Sequence, residues 1–378
     1  MGVDKSRRTT TASTQNDRAV FDIHPQIEKA STPPSSFYRD LAAFEATKDK
    51  VFARSWQLVA DVDSLKAPGS VFPFTLLPGF LDEPLLIARG QDDEIRCLSN
   101  VCTHRGNIVC EGPGVANSLR CRYHGRRFGL DGKFHFMPEF DGVEGFPSRS
   151  DDLAQVPLGR WTQFLFVSPD PSCSLDDVLK PVADRVGFLP VETFRLCPER
   201  SRDYLVRGHW ALYVDNYLEG FHIPYIHASL NDALDYGSYE THLFDHSNLQ
   251  IGIAKGAEHV FDLPADHPDR GKAVSAFYFW VFPNLMLNFY PWGLSVNIVK
   301  PIAPDQTKVS FVAYVFDESR LGTGAGAELD RVEREDEAVV ELVQKGIRSR
   351  YYERGRYSPL REVGTHHFHR LLASALNA

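Results

Sequence analysis

Two small knots of cysteine and histidine constrain this chain more than any other feature of its sequence. In CTHRGNIVCEGPGVANSLRCRYHG, Cys102 and His104 stand one residue apart, and Cys121 and His124 follow two residues apart. Ligands at i and i+2 on an extended loop point the same way. Gly106 and Gly125 each follow a histidine closely, where glycine lets the chain turn tightly. The two loops can therefore face each other around a metal, carrying two sulfur and two nitrogen donors. Zinc accepts such a set, but finger spacing pairs Cys with Cys in one element and His with His in the other. Here each loop supplies one of each. A [2Fe–2S] centre in which two His replace two Cys on one iron suits such mixed loops. Cys102 and Cys121 would hold its inner iron, and His104 and His124 the outer, exposed one. Six cysteines in 378 residues are too few for a disulfide scaffold, and Cys110, without a partner at useful spacing, reads as structural.

The rest of the chain reads as globular. A hydrophobic share of 43% against 24% charged residues excludes wholesale disorder, and a formal charge of -9 argues against nucleic acid or anionic membrane as main partner. No apolar run reaches membrane-spanning length; AFYFWVFPNLMLNFYPW carries two prolines and two asparagines and reads as paired strands. No signal peptide opens the sequence, and clustered Cys and His point to a reducing compartment, so a cytoplasmic location is expected. MGVDKS fits a myristoylation pattern and RRTTTASTQ a transit peptide, but Asp4 and Asp17 close by favour a plain polar tail.

Four segments follow from the patterning. Residues 1–35, polar and ending in STPPSS, are expected to be a flexible arm. Residues 36–55 show helical spacing, with Phe37, Leu41, Phe44, Val51 and Phe52 on one side. Residues 56–170 are short apolar strands punctuated by turns such as APG, LPG and LDG, an all-β domain with the Cys/His knots in two of its loops. Residues 176–378 alternate helical and strand patterns, giving an α+β half with an antiparallel sheet.

The arrangement C-x-H-x16-C-x-x-H, with HRG and YHG, together with the segment from EPLLIARG through LSNVCTHRG to FGLDGKF, resembles the Rieske domain of ring-hydroxylating oxygenases. Such a centre only moves single electrons, so the deciding stretch lies later, in DNYLEGFHIPYIHASL. Asn216, Glu219 and His222 are spaced i, i+3, i+6, close to one helical face. His227 would rotate off that face in a continuous helix, but Pro224 is expected to break it and let His227 swing back beside His222. Two imidazoles near a carboxylate suggest the two-His-one-carboxylate iron triad, which leaves positions open for O2 and substrate. The carboxylate is expected from RVEREDEAVVELVQKGIRSR. Its apolar stripe runs Val332, Val339, Val340, Val343, Ile347, and Asp336 falls within it. Glu335 is the rival, and the remaining acids read as better placed for solvent.

From Phe37 onward the chain resembles the α subunit of Rieske non-haem iron oxygenases, within them the choline monooxygenase and quaternary-ammonium demethylase branch. FYFWVFPNLMLNFYPWGLSVNIV, REDEAVVELVQKGIRSRYYERGRYSP and HHFHRLL carry that closeness, and the family motif N-x-x-(E/D)-x-x-H-x4-H is met by Asn216, Glu219, His222 and His227. The resemblance implies a helix-grip catalytic domain, a [2Fe–2S] cluster and one Fe(II) per subunit, with Asp336 as third iron ligand. It implies a homotrimer in which Glu219 bridges His124 of one chain to a catalytic His of the next, with Asn216 beside it. Plant choline monooxygenases carry an extra glycine between the acid and the first His. This sequence does not, a departure that bears on choline as substrate but not on the iron chemistry.

The expected function is the oxygenase component of a multi-protein system, hydroxylating or oxidatively N-demethylating a small organic substrate with O2. GTGAGA, Gly322 to Ala327, fits a loose dinucleotide fingerprint, but no second βαβ unit fits before the chain ends, so electrons should arrive from a separate reductase or ferredoxin. Aromatic-ring cis-dihydroxylation by the same irons is the alternative. A Rieske electron-transfer protein without oxygenase activity is the rival from another class, and a zinc scaffold a third. LNFYPW and LNDALDYGSY should contribute Leu230, Asp235, Asn288 and Tyr290 to the pocket, where aromatic faces could hold an ammonium or stack on an arene. The three histidines of HHFH, His366, His367 and His369, read as packed helix residues rather than a metal site.

Overall fold

The computed structural model describes residues 20–256 and 258–378. The myristoylation and transit patterns lie outside the described residues. Of the arm expected over 1–35, residues 20–35 are packed rather than flexible. Phe21 and Ala30 are buried, Asn377 binds the backbone of Val20 and Phe21, Ser31 bridges to Arg356, and His366 contacts the His24 carbonyl. Backbone pairing with the far end of the chain orders this segment, which composition alone does not register.

Helix α1, Leu41–Thr47, starts where the Asp40 carboxylate accepts the N–H groups of Ala42 and Ala43, and a wider turn continues it over Lys48–Phe52. Phe37, Phe44, Val51 and Phe52 are buried as the spacing suggests, but Leu41 is 61% exposed. Helical phase begins only after Asp40, so a stripe counted from Phe37 misplaces the first turn.

The all-β half holds strands β1 Gln57–Asp61, β2 Ser70–Leu76, β3 Glu83–Arg89, β4 Ile95–Ser99, β5 Gly114–Val115, β6 Leu119–Arg120, β7 Arg127–Phe128, β8 Phe134–Phe136, β9 Gln155–Val156, β10 Leu158–Trp161 and β11 Phe164–Val167. They form a five-stranded sheet in the order β5-β2-β3-β4-β9 and two three-stranded sheets, β1-β11-β10 and β6-β7-β8. The Cys102 loop leaves β4, and the Cys121 loop is the tip of the β6–β7 hairpin, where Arg120 pairs with Arg127.

Helix α2, Leu175–Val186, leads to the second half, whose strands are β12 Arg195–Val206, β13 Glu240–Phe244, β14 Ser247–Ile253, β15 Val274–Val281, β16 Leu285–Tyr290, β17 Gly293–Ala303 and β18 Gln306–Val315. They build one antiparallel seven-stranded sheet in the order β12-β18-β17-β16-β15-β14-β13. Both faces of its centre are buried, which is why β15 and β16 read as continuous apolar runs rather than alternating ones. Trp280 and Met286 pack toward Trp210 and Phe368, while their neighbours Phe279, Leu285 and Leu287 pack toward Phe164, Phe166 and α2. On the first face lie α3 Trp210–Tyr217, α6 Leu329–Gly346 and α7 Val363–Asn377, with the short helices α4 Ile223–Ile226 and α5 Ala228–Ala233 after α3. Among the described residues no helix is long and apolar enough to cross a membrane.

Helix α3 ends at Tyr217, before Glu219, so Asn216, Glu219 and His222 do not share one continuous helical face. Pro224 does not break a helix either. It lies in the first turn of α4, where its missing N–H costs nothing. The turn between the two helices carries Glu219 and His222, and His227 sits where α4 passes into α5.

Candidate metal centres and active site

The two Cys/His loops are built alike. The Cys102 N–H bonds to the Asn107 carbonyl at 2.8 Å and the Gly106 N–H to the Cys102 carbonyl at 2.9 Å. In the second loop Cys121 bonds to Arg126 at 2.9 Å and Gly125 to Cys121 at 3.0 Å. Gly106 and Gly125 have φ of 69° and 78°, the left-handed region that a side chain would disfavour. Each loop thus presents its thiol inward and its imidazole outward. Cys102 and Cys121 are buried, at 2% and 1% exposure, and His104 and His124 are half-buried with ring centroids 4.7 Å apart. One tetrahedral zinc ion would draw all four donors within about 4 Å of one another. Among the described residues the only group of three or more donors within 4.8 Å lies elsewhere, at His222, His227 and Asp336. Two thiols inside and two imidazoles outside, spread wider than one ion spans, fit a binuclear cluster.

Sequence reasoning passed over Arg126, which braces this site. Its guanidinium is 2% exposed, donates to Thr103 Oγ1 at 2.7 Å and to Asp151 at 2.7 Å, and lies 5.1, 5.9 and 5.3 Å from the rings of Phe134, Phe140 and Phe146. Burial would raise the Asp151 carboxyl, but the Ser148 N–H and Arg126 outweigh it and hold it below its ordinary range.

In the second half, three donor atoms converge. His222 Nε2 lies 3.1 Å from His227 Nε2, and Asp336 Oδ1 lies 3.5 Å from the first and 3.0 Å from the second. Carboxylates accept at both Nδ1 atoms, Glu219 Oε1 at 2.7 Å on His222 and Glu335 Oε2 at 2.8 Å on His227. Each ring must therefore carry its proton on Nδ1, and its Nε2 lone pair faces the other two donors. Two lone pairs and a carboxylate oxygen at such separations repel unless a cation or proton sits among them. Metal bonds of about 2.1 Å meeting at right angles would put their ligands about 3 Å apart, so the residues present fit a facial triad. Burial would lower the His227 imidazole, but Asp336 and Glu335 outweigh it and raise it.

Helix α6 docks on α3 and sets these positions. Asn216 Nδ2 donates to Asp336 Oδ1 at 2.6 Å, while Arg331 holds Glu335 at 3.1 Å. Between the rivals, Asp336 joins the two Nε2 atoms and Glu335 stands behind His227. The buried face of α6 runs Glu333, Val340, Gln344 and Ile347, whereas Val343 is 42% exposed. Glu333, expected to face solvent, is 4% exposed and accepts the Tyr213 hydroxyl at 2.7 and 2.6 Å. Burial pushes its carboxyl well above the ordinary range. Its spacing, seven before Val340 and three before Asp336, is the signal that could have found it.

A cleft opens over the triad. Leu230, Asn288 and Tyr290 line it, together with Tyr213, Tyr217, Tyr239 and Tyr278, which the sequence did not single out. Asp235 does not. Its carboxylate is spent on the Gly237 N–H and the Ser238 hydroxyl, closing a turn. The GTGAGA glycines serve packing. A Cβ on Gly326 would lie 2.4 Å from Trp292 Nε1, and Trp292 stacks on Tyr290 at 5.2 Å. The HHFH histidines are packed residues, His369 against Asp215 at 2.7 Å and His366 against the His24 carbonyl.

Comparison with known proteins decides the family. Residues 55–147 match the Rieske [2Fe-2S] domain, and residues 195–378 the ring hydroxylating alpha subunit catalytic domain. The chain is 32% identical to the chloroplastic choline monooxygenase of Arabidopsis thaliana, over 93% of this chain and 84% of that one. It belongs to the Rieske non-haem iron oxygenases. To the carnitine monooxygenase oxygenase subunit of Escherichia coli K12 this oxygenase is 31% identical, over 93% of its length and 95% of the relative's. The crystal structure of the quaternary ammonium Rieske monooxygenase CntA superimposes with a TM-score of 0.75 at 25% identity, covering 97% and 99% of the two chains. Naphthalene 1,2-dioxygenase, at 17% identity and a TM-score of 0.70 over 93% of each chain, shares the fold. The protein is thus an α+β oxidoreductase with an N-terminal Rieske domain and a C-terminal catalytic domain. It carries a Rieske cluster and a mononuclear iron and uses O2 with electrons supplied by a partner.

Proposed function

We propose that this oxygenase acts on a methylated ammonium compound, hydroxylating it at a C–H bond. Hydroxylation at an N-methyl carbon collapses to the demethylated amine and formaldehyde. The observation that carries the reading is the convergence of His222, His227 and Asp336 beneath a cleft walled by five tyrosines, Tyr213, Tyr217, Tyr239, Tyr278 and Tyr290. Aromatic faces attract a cation that offers no N–H for a hydrogen bond. The choline and carnitine monooxygenases among the relatives support the same substrate class.

Iron held by His222, His227 and Asp336 would supply O2 activation at its open positions, and a cluster held by Cys102, His104, Cys121 and His124 would supply electrons singly. The chain's own groups prepare those sites. Glu219 and Glu335 each accept one Nδ1 proton and fix one ring, and Asn216 holds the Asp336 carboxylate. We assign Glu219 to face His124 of a neighbouring subunit in a homotrimer. Supporting this, aromatic side chains stand exposed beside both sites, Tyr123 at 60% next to His124 and Phe221 and Tyr225 at 40% and 78% next to His222. A reductase or ferredoxin is the electron donor we infer. None of the six cysteines is in a disulfide, which supports a reducing compartment, for which we infer the cytoplasm.

The test is oxygen uptake by reduced, iron-loaded protein against methylated amines and arenes, with products identified. Uptake coupled to an N-demethylated or hydroxylated amine is the expected result, and a cis-diol from an arene would replace this reading with ring dihydroxylation. The variant His222→Ala should lose mononuclear iron with the cluster spectrum intact. Unchanged iron content would remove the second site. Sedimentation of the holoprotein as a monomer would remove the trimer.

A further inference from the structure

Three acidic residues line the catalytic cleft, Glu219, Glu333 and Asp336. Glu219 is bonded to His222, and Asp336 faces both histidines. Glu333 faces neither and stands outside the donor group formed by His222, His227 and Asp336. Among the described residues no basic side chain pairs with it, whereas Glu335 and Asp336 on the same helix are both engaged by His227. Yet it is 4% exposed, held in place because Val340, Gln344 and Ile347 continue the same buried face of α6. Its side-chain partner is Tyr213, whose single hydroxyl proton is shared between both carboxylate oxygens. Most of its acceptor capacity is therefore unfilled. A buried carboxylate without a counter-charge is costly, so in the empty cleft burial favours the protonated acid, and an arriving cation takes the place of that proton as the partner charge.

We infer that Glu333 supplies the negative charge that selects a cationic substrate, its carboxylate facing the ammonium head while the tyrosine faces enclose the methyl groups. This rests on the methylated-ammonium reading and sharpens it to one residue. A quaternary ammonium cannot donate a hydrogen bond, so it is recognised by charge at contact and by aromatic walls. Burial makes the Glu333 charge effective because little water screens it. A neutral ligand of the same shape would leave Glu333 protonated and gain no charge pairing, so discrimination rests on the attraction of the cation. An arene would likewise gain nothing from Glu333.

The experiment uses full-length protein loaded with cluster and iron but given no reductant, so that binding is read without turnover. Calorimetry compares choline, a trimethylammonium alcohol, with 3,3-dimethylbutan-1-ol, its neutral tert-butyl counterpart. The wild-type protein should prefer the cation by tenfold or more. Glu333→Gln should reduce that preference by roughly tenfold, about 1.4 kcal/mol, with the neutral probe bound as before. Glu333→Asp should restore most of the preference, and iron and cluster content should be unchanged in both. If the Gln variant does not retain iron, Glu333→Met, neutral and without hydrogen-bond demands, takes its place. A neutral variant that keeps the full preference, or that weakens both probes equally, overturns the role of Glu333 and leaves the substrate class standing. A wild-type protein that binds both probes alike overturns the substrate class and the inference with it.

Discussion

Glu335 and His227 form a bonded pair, with a carboxylate oxygen 2.8 Å from Nδ1, while the opposite nitrogen of the same ring lies 3.0 Å from Asp336. Two consecutive acids of α6 thus grip one imidazole from its two ends. Glu335 fixes the tautomer and Asp336 completes the donor set. A partner of this kind is worth about 10- to 100-fold in metal affinity. Glu335→Ala should weaken mononuclear iron binding by that range while leaving the cluster absorption intact. Iron titration of the apo site checks this; unchanged affinity would reduce the contact to packing.

Glu219 makes the matching bond to His222, and its other oxygen also accepts the backbone N–H groups of Phe221 and His222. Glutamine can keep an acceptor there but not the charge. Glu219→Gln should retain most of the iron yet slow reoxidation of the reduced cluster by O2 and substrate by about tenfold or more. Rapid-mixing absorbance of the cluster reads that rate directly, and an unchanged rate would exclude Glu219 from the path between sites.

Arg126 is the structural centre of the cluster domain. Removing it leaves Asp151, whose side chain is only 18% exposed, without its cation, and empties the space among three phenylalanine rings. Breaking a buried pair costs about 3–5 kcal/mol, and the residual exposure of Asp151 places this one at about 3 kcal/mol. Arg126→Met should therefore lower the midpoint of chemical unfolding and loosen the cluster, read by loss of visible absorbance at lower denaturant.

His209 caps α3, its ring accepting the Ala211 N–H, and complete burial holds its pKa at about 3 against an ordinary 6.5. The folded state binds fewer protons than the unfolded state between those values, so stability rises with pH there. Its contribution is full above 6.5 and is lost as pH falls toward 3, by up to about 1.4 kcal/mol per pH unit. His209→Asn keeps a capping side chain without the titration. It should flatten the stability profile between pH 6.5 and pH 4, checked by denaturant midpoints across that range. A profile as steep as that of wild type would place the titration elsewhere.

Much of the metal chemistry was legible because it is local. Cys102 with His104 and Cys121 with His124 sit in loops of a few residues, where spacing and a following glycine govern direction. Asp336 could be reached from the periodicity of its own helix. The same periodicity misjudged Glu333 and Val343, because an apolar stripe locates a buried face only to within a residue or so of its edge. The spacing of Asn216, Glu219 and His222 suggests one helical face, yet the chain turns at Leu218, just past the end of α3.

By itself, then, the sequence determined the kinds of donor side chain available, the β-rich and mixed halves, and the pairing of an electron-transfer centre with an iron site. Those properties follow from residue identity and short-range geometry. Only the tertiary structure decided which of the adjacent acids Glu335 and Asp336 meets the Nε2 atoms. It also decided that Glu333 is buried against Tyr213, and that residues 20–35 are packed. Each of these rests on contacts between distant parts of the chain, 108 residues apart for His227 and Glu335 and 120 for Tyr213 and Glu333. The docking of α6 on α3 sets them, and no local spacing encodes that rotation.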